Sequence, residues 1–395
     1  MTALLLGLSI LQSGTPRVIE SPMAGSGLVV VQAYILAPNL GPADAAALKV
    51  VGETLLDGTQ EFTRNELLSY GAQAGLPPTV SILPDFAKVQ IAVPKRGLTV
   101  AIALIESILV RSNLKLEDLE AHRRTLMVRH RPAWAAALDP RLLPYKDLRA
   151  GDYARVRDSL FRPENIVIAV GGDFDQGDGA KEVKKAFGSW SLGPKKYVPK
   201  PIPIPISASN DEAVSSYELY GLPIATSQPA WAQQFLAMFA LGVGKESSVT
   251  RVLREKMQIS YRQETVLWPS LQGWIPRLFV VASPSVNSAE RIDGFRAVLL
   301  EDIGSWSDLT LERAKSMALA SLNRDLPVSP FWLDTSGPAR SDVASRTSWD
   351  AFSSLVKMPE LNRGTMATAF GSVTLDELKA AAENFVKKAI PRSLD

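Results

Sequence analysis

Apolar and polar positions along this chain follow two different periods, and together they give one order of strands and helices that occurs twice. In the first half, the β-rich run Leu28–Leu36 is typical of a buried strand. Two helices with apolar faces, a hairpin around Pro84 and Asp85, and further helices follow it. The second half repeats this order over some 180 residues. The pattern therefore predicts an α+β protein of two duplicated domains, each a mostly antiparallel sheet with helices packed on one face.

The boundaries of several elements can be predicted from helix-capping residues as well as from periodicity. Asp44 is predicted to cap the first helix, and Thr63 to cap the second, in a capping box with Glu66. Thr374 and Glu377 form the same pattern before the last helix. The remaining predicted elements are a hairpin at 79–93, helices at 98–109, 116–129 and 152–160, a strand at 166–170 and a helix ending near 187, then a strand at 214–220, helices at 230–241 and 248–257, a hairpin at 259–268 and 277–283, and helices at 289–306, 310–323 and 374–389.

A proline-rich segment between the two halves predicts where the domains meet. Residues 193–206 contain five prolines, a density that favours extended polyproline II structure over helix or central strand. We therefore expect a first domain at 15–192, a linker at 193–209 and a second domain at 210–395. Residues 1–14 are expected to be a signal or a disordered start.

The start of the chain carries an apolar run from Ala3 to Leu11. It lacks a basic segment before it and a small-residue cleavage site after it, so an atypical signal peptide, a disordered start and an early strand all stay open. The run is too short to span a membrane as a helix. Export to the periplasm and a cytoplasmic location therefore both remain compatible with the sequence.

Composition limits the chemistry that this chain can carry. A length of 395 residues favours two domains, and a net charge of +2 gives no electrostatic case for nucleic-acid binding. Cysteine is absent, which removes disulfides, thiol catalysis and cysteine metal sites. The two histidines, His122 and His130, are eight residues apart on one predicted helix and cannot both bind one ion.

Two segments of the first half resemble the insulinase/pitrilysin-like zinc metallopeptidases, the family that includes the mitochondrial processing peptidases. One is the helix pair at 44–75, joined by an Asp-Gly-Thr turn; the other, at 162–190, reads Arg-Pro-Glu-Asn, strand, Gly-Gly-Asp, helix, Phe-Gly-Ser-Trp. In that family an H-x-x-E-H motif precedes the Gly-Thr and holds zinc. The resemblance places the motif on Lys49, Gly52 and Glu53, which together cannot supply the ligands and the base. The third ligand, a glutamate on a later helix, would fall in 120–131, which contains no glutamate after Glu120.

The second half resembles the C-terminal signature of the same family at 241–261. A glycine-containing loop with Gly242 and Gly244 is followed by Arg254 and, seven residues later, Tyr261. The resemblance implies that the two glycines contact substrate and that Arg254 and Tyr261 bind the substrate backbone and stabilise the oxyanion at a zinc site. The residues alone also permit a surface Arg254 paired with Glu255 or Glu246, and a Tyr261 ring in the core.

The resemblance implies a non-catalytic subunit of a heteromeric zinc metallopeptidase. Such a chain would hold no cofactor itself, complete the peptide chamber of a zinc-bearing partner chain, and donate Arg254 and Tyr261 in trans. The alternative is a proteolytically inactive structural or peptide-binding homologue of the same fold. A third interpretation, peptide hydrolysis by this chain alone through Glu53, also stays open.

Overall fold

A computed structural model describes most of the chain, in nine stretches. They are residues 14–38, 40–83, 85–128, 145–190, 216–224, 230–282, 289–321, 342–357 and 363–393. The predicted linker at 193–209 and nearly all of the predicted start at 1–14 lie outside them. The domain boundaries therefore stay predictions.

The first half contains a five-stranded sheet that is antiparallel except at one pair. Its strands are β1 (Arg17–Pro22), β2 (Leu28–Leu36), β3 (Thr79–Ile82), β4 (Phe86–Pro94) and β5 (Ile166–Gly172), in the order β1-β5-β2-β4-β3. Only β1 and β5 pair in parallel. Strand β2 lies at the centre and pairs with β4 along nine residues and with β5 along seven, and its residues 29–35 are fully buried. The predicted strand and hairpin are confirmed; β1 was not predicted.

Helices cover one face of this sheet and form its core. They are α1 (Pro42–Thr54), α2 (Arg64–Gln73), α3 (Leu98–Arg111), α4 (Leu116–Val128), α5 (Ala150–Leu160) and α6 (Asp178–Phe187). The capping box of Thr63 and Glu66 is confirmed. The prediction that Asp44 caps α1 is wrong: the cap is Gly41, Pro42 starts the helix, and the Asp44 carboxylate accepts from Arg155 at 2.6 Å. Proline suits the first helical turn because its missing N–H is not needed there.

The second half contains a four-stranded antiparallel sheet, again with helices on one face. Its strands are β6 (Ser216–Tyr220), β7 (Ser260–Ser270), β8 (Gly273–Ala282) and β9 (Ile390–Ser393), in the order β7-β8-β6-β9. The helices are α7 (Trp231–Gly242), α8 (Ala289–Gly304), α9 (Asp308–Ser321), α10 (Asp342–Leu355), α11 (Arg363–Gly371) and α12 (Leu375–Lys388). The α+β class with two such sheets is confirmed, as is the capping box of Thr374 and Glu377. Helices α10 and α11 and strand β9 were not predicted.

One predicted α-helix has a different geometry. The sequence predicts an α-helix at 248–257, whereas Thr250–Lys256 is a π-helix. The amide of Met257 donates to the carbonyl of Val252 at 2.9 Å, a bond across five residues instead of four. π-Helical turns are rare, and they occur frequently at functional sites.

Helix α10 of the second half joins the two halves. It lies on the face of the first sheet that the helices of the first half leave uncovered. Gly171 of β5 permits this close approach, because a Cβ there would overlap the hydroxyl of Thr347. The buried amide of Gln32 on β2 donates to Ser348 Oγ at 2.8 Å and to the carbonyl of Ala344 at 3.1 Å. These contacts connect residues more than 300 positions apart, so the first sheet has helices from both halves on its two faces.

The hairpin turns of the two sheets also meet. The carboxylate of Asp85, in the turn between β3 and β4, accepts from the amide of Leu271 at 3.0 Å in the turn between β7 and β8. Leu83 packs against the face of the second sheet formed by Val266, Trp268 and Phe279. The β3–β4 hairpin is thereby a second point of attachment between the halves.

Candidate functional site

The three positions that the sequence places in a zinc motif all lie in α1, and their side chains do not form a metal site. The ammonium of Lys49 pairs with the carboxylate of Glu53 at 2.8 Å, one helical turn away. A Cβ on Gly52 would lie 2.5 Å from Cδ1 of Ile82 and 3.4 Å from Val80, both on the edge strand β3. A side chain at position 52 would therefore require the Ile82 side chain to move. Zinc does not fit this helix, since the carboxylate of Glu53 is already paired with the ammonium of Lys49, and Gly52, at the position of the general base, has no side chain.

The helix that would supply a third ligand uses its glutamate in another way. Glu120 of α4 accepts from Arg123 at 2.7 Å and from the Tyr153 hydroxyl at 3.1 Å. Burial acts to raise the pKa of Glu120, but these two hydrogen bonds outweigh it and hold the pKa below its usual value. Burial and the bond to Glu120 raise the pKa of the Tyr153 phenol. Glu120 is thus a half-buried link between α4 and α5.

His122 is also engaged. Its Nε2 lies 2.6 Å from Asp57 Oδ2, and Arg64 donates to the other oxygen of that carboxylate at 3.0 Å. This group ties the turn after α1 to α4. His130 lies outside the described residues. Within the described stretches no three His, Asp or Glu side chains come together as a metal site requires, and the absence of a metal in the whole chain stays a prediction.

Arg254 lies on the π-helix and its side chain is exposed. The same turn points the apolar side chains of Val252 and Leu253 into the core of the second half. The buried side chains of Val252 and Leu253 fix the backbone of this segment, and Arg254 lies on its exposed side.

A buried carboxylate anchors the π-helix to the helix layer. Asp302 of α8 accepts from Arg251 at 2.8 Å and lies 3.9 Å from the ammonium of Lys256. The indole of Trp306 donates to Ser248 Oγ at 2.7 Å, and Ser248 in turn bonds Asp302. Burial acts to raise the pKa of Asp302, but the bonds from Arg251 and Ser248 lower it overall.

The sequence did not reveal Asp302 as part of this group. Its position in α8 is more than 50 residues from Arg251. The one local signal is an aspartate inside an apolar helical repeat, at a place where the pattern calls for a buried residue. A buried acid needs a partner, and the structure identifies Arg251 as that partner.

The glycines predicted to contact substrate lie at the start of this region and have different environments. Gly242 is buried at the end of α7, where a Cβ would overlap the backbone nitrogen of Thr265 on β7. Gly244 has a φ of +88°, and a Cβ there would lie 3.5 Å from Met317. Close packing requires a glycine at position 242, and the backbone conformation favours a glycine at position 244. A contact of either with substrate stays a prediction.

Tyr261 lies on β7, at an irregular point in its pairing with β8. Its side chain lies outside the described part of the structure. The predicted pairing of the Arg254 and Tyr261 side chains therefore stays a prediction. Lys49, Gly52 and Glu53 belong to the first half of the chain, and Arg254 belongs to the second.

Comparison with known proteins agrees with this geometry. Residues 149–317 match the family described as the peptidase M16 inactive domain, a region that includes Gly242, Gly244, Arg254 and Tyr261. No curated protein matches the sequence significantly.

Several solved structures share the fold. A protease from Helicobacter pylori has a TM-score of 0.69 at 15% identity, with 96% of each chain covered. A peptidase M16 inactive domain from Pseudomonas fluorescens gives the same TM-score and identity, covering 96% of this chain and 95% of that one. The first half of the periplasmic protease PqqL from Escherichia coli has a TM-score of 0.57 at 16% identity, covering 96% and 89%. The chain therefore shares its fold with a peptidase M16 inactive domain, and residues 149–317 match the model of that family.

Among the described helices, none has the length and apolar character needed to cross a membrane.

Proposed function

We propose that this chain is a non-catalytic subunit of a two-chain M16-type peptidase. In this proposal a partner chain of the same fold carries the zinc, and the two chains together enclose a chamber for peptides. This chain contributes Arg254 and Tyr261 to the partner's active site. Arg254 then stabilises the negative charge that develops on the carbonyl oxygen of the peptide bond under attack.

The contrast between the two halves carries the proposal. In the first half, the positions of the zinc motif hold an ion pair of Lys49 and Glu53 and a glycine, Gly52, that packs on Ile82. In the second half, Arg254 is exposed on a π-helix that Asp302 anchors through Arg251. A rare helical geometry that occurs frequently at functional sites here carries an exposed cation.

The match to the inactive domain supports the same assignment. The matched region spans the loop with Gly242 and Gly244 and the residues Arg254 and Tyr261, and it excludes the helix with Lys49, Gly52 and Glu53. Arginine suits the proposed role because its guanidinium stays charged and offers several donors to an oxyanion.

Metal content tests the partnership. The pure chain and the complex that it forms in its native host would be analysed by mass spectrometry for zinc. We expect no zinc in the pure chain and about one zinc per complex, held by a second M16-type chain. Stoichiometric zinc in the pure chain would contradict the proposal and would support hydrolysis by this chain alone.

The role of Arg254 is tested in the reconstituted complex. Arg254→Ala should lower kcat by roughly 10²–10³ while assembly and zinc content stay unchanged, since removal of one oxyanion donor costs that much. Glu255→Ala is the matched control, because Glu255 is exposed on the same π-helix. Equal activity of both variants would refute the donated cation. It would leave the alternative, a structural or peptide-binding homologue without a part in proteolysis.

A further inference from the structure

A pocket opens in the second half, where the chain leaves β6. Its volume is about 250 Å³, and it lies between the segment 221–224 and helices α7 and α12. Two contacts hold that segment: the amide of Gly221 donates to the carbonyl of Pro276 at 2.9 Å, and Ile224 exchanges two backbone hydrogen bonds with Trp274. The pocket is therefore fixed by the sheet and does not depend on a loose loop.

Glycine at position 221 is needed for this shape. A Cβ there would lie 2.7 Å from Pro276 and 2.9 Å from the ring of Phe385, both of which line the pocket. Beyond Gly221 the chain turns outward, and the side chain of Leu222 at the pocket is 76% exposed. The side chain of Leu222 therefore lies at the rim of the pocket, where a ligand could cover it.

The lining combines an apolar wall with two amide side chains and one cation. The apolar part includes Ile224, Met238, Pro276 and Phe385, and the polar part consists of Gln234, Asn384 and Lys388. None of the described residues that line the pocket carries a carboxylate. Pockets that bind small molecules are typically built in this way, with apolar walls for affinity and a few polar groups for orientation.

Asn384 and Lys388 are one helical turn apart on α12, so their side chains lie on one face of it. The neighbouring Lys387 is already paired, with Glu383 at 2.7 Å. Arg296 adds a second cation at this end, since it donates to the carbonyl of Ala389 at 2.6 Å, and Ala389 also lines the pocket. The two positive charges exceed the partial negative charge of the helix C-terminus. The net positive charge at the pocket mouth therefore favours an anionic group.

The volume limits what the pocket can hold. A cavity of about 150 Å³ is large enough for benzene, so this pocket has room for one ring or branched side chain together with a carboxylate. A C-terminal glycine would leave the apolar wall unfilled. An acidic side chain would find no second partner for its own carboxylate. A peptide that ends in a large apolar residue has both groups in the required positions.

We propose that this pocket binds the free C-terminal residue of a peptide with a large apolar last side chain, the carboxylate facing Lys388 and Asn384. The site lies beside β6 and α12, whereas the π-helix with Arg254 lies beside β7, at the far edge of the sheet. The inference does not rest on the proposed role of Arg254. It applies equally to a peptidase subunit and to a peptide-binding homologue.

Binding of three probes to the full chain tests the site, measured by titration calorimetry or ligand-observed NMR. The probes are N-acetylphenylalanine, its neutral carboxamide and N-acetylglycine. N-acetylphenylalanine should bind about tenfold or more tightly than either of the others, since a charge-assisted hydrogen bond and the ring both contribute. Equal binding of the acid and the carboxamide would refute the role of the carboxylate.

Two single substitutions locate the site. Lys388→Gln should weaken binding of N-acetylphenylalanine about tenfold, because it removes the cation at the mouth. Lys387→Gln is the matched control: the residue is adjacent, exposed and outside the lining. Equal effects of the two substitutions, or no saturable binding of N-acetylphenylalanine at millimolar concentration, would overturn the proposal. Neither result bears on the activity test of Arg254.

Discussion

Replacing Gly171 with alanine tests how the two halves of the molecule are held together. Gly171 lies on β5, beneath α10 of the second half. A Cβ at this position would overlap Oγ1 of Thr347 and would lie 3.0 Å from Thr347 Cβ. Rotation of the threonine side chain would move the hydroxyl away, but it would break the hydrogen bond that the hydroxyl donates to the carbonyl of Val343 at 2.6 Å, and it would leave the 3.0 Å contact with the threonine Cβ in place. The hydroxyl must therefore lose that bond, or the helix must shift away from the sheet.

The size of the effect follows from this overlap. Real Cβ atoms essentially never approach closer than 3.0 Å, so the threonine hydroxyl would have to retreat by about 1 Å, and overpacking of this kind costs about 1–3 kcal/mol. The shift also lengthens the bond from Gln32 to Ser348 in the same contact. We expect Gly171→Ala to lower the free energy of unfolding by roughly 2–3 kcal/mol.

Urea unfolding of the full chain measures this loss, and hydrogen exchange locates it. The amides of α10 should lose protection before those of β2. Gly151→Ala is the control, because Gly151 lies in α5 with no atom within 4 Å of a Cβ. That change should be neutral or stabilising by up to about 1 kcal/mol.

A second substitution separates the specific clash from a general effect. Thr347→Ala removes the overlapping hydroxyl, so Gly171→Ala should cost less in its presence, with a coupling energy of roughly 1 kcal/mol or more. Strictly additive effects of the two substitutions would refute the close contact. A Gly171→Ala variant as stable as the native protein would refute it directly.

Two further predictions concern the anchor of the π-helix. Asp302→Asn should lower the free energy of unfolding at neutral pH by roughly 1–3 kcal/mol, since Arg251 loses its charged partner. Because the folded pKa of Asp302 lies below its unfolded value, this stabilisation is present above about pH 4 and is lost as pH falls through the folded pKa. The unfolding curves of the native protein and the variant should therefore converge in acid. Gly242→Ala should destabilise by about 3 kcal/mol or more in urea unfolding, because the overlapping atom is the backbone nitrogen of Thr265, which cannot rotate away.

The candidate site was predictable in part, and the reason lies in the range of the interactions. The residue types at Lys49 and Gly52 predict the loss of a zinc motif from sequence alone, because metal ligation requires particular side chains at fixed helical spacing. Arg254 is a candidate through the family resemblance at 241–261, and its role stays a prediction. Asp302, which holds the segment with Arg254, could not, because its bond to Arg251 joins residues in different elements.

The sequence alone determined the local structure and the excluded chemistry. Both capping boxes, the strand Leu28–Leu36 and the hairpin that follows depend on neighbours within a few residues, which periodicity and side-chain type describe well. Only the tertiary structure placed α10 on the first sheet, widened the turns of Thr250–Lys256 into a π-helix and closed the pocket beside Gly221. These features depend on close approach between segments that are far apart in sequence, in one case by more than 300 residues. A missing Cβ or a buried carboxylate at such a contact has no periodic signal along the chain.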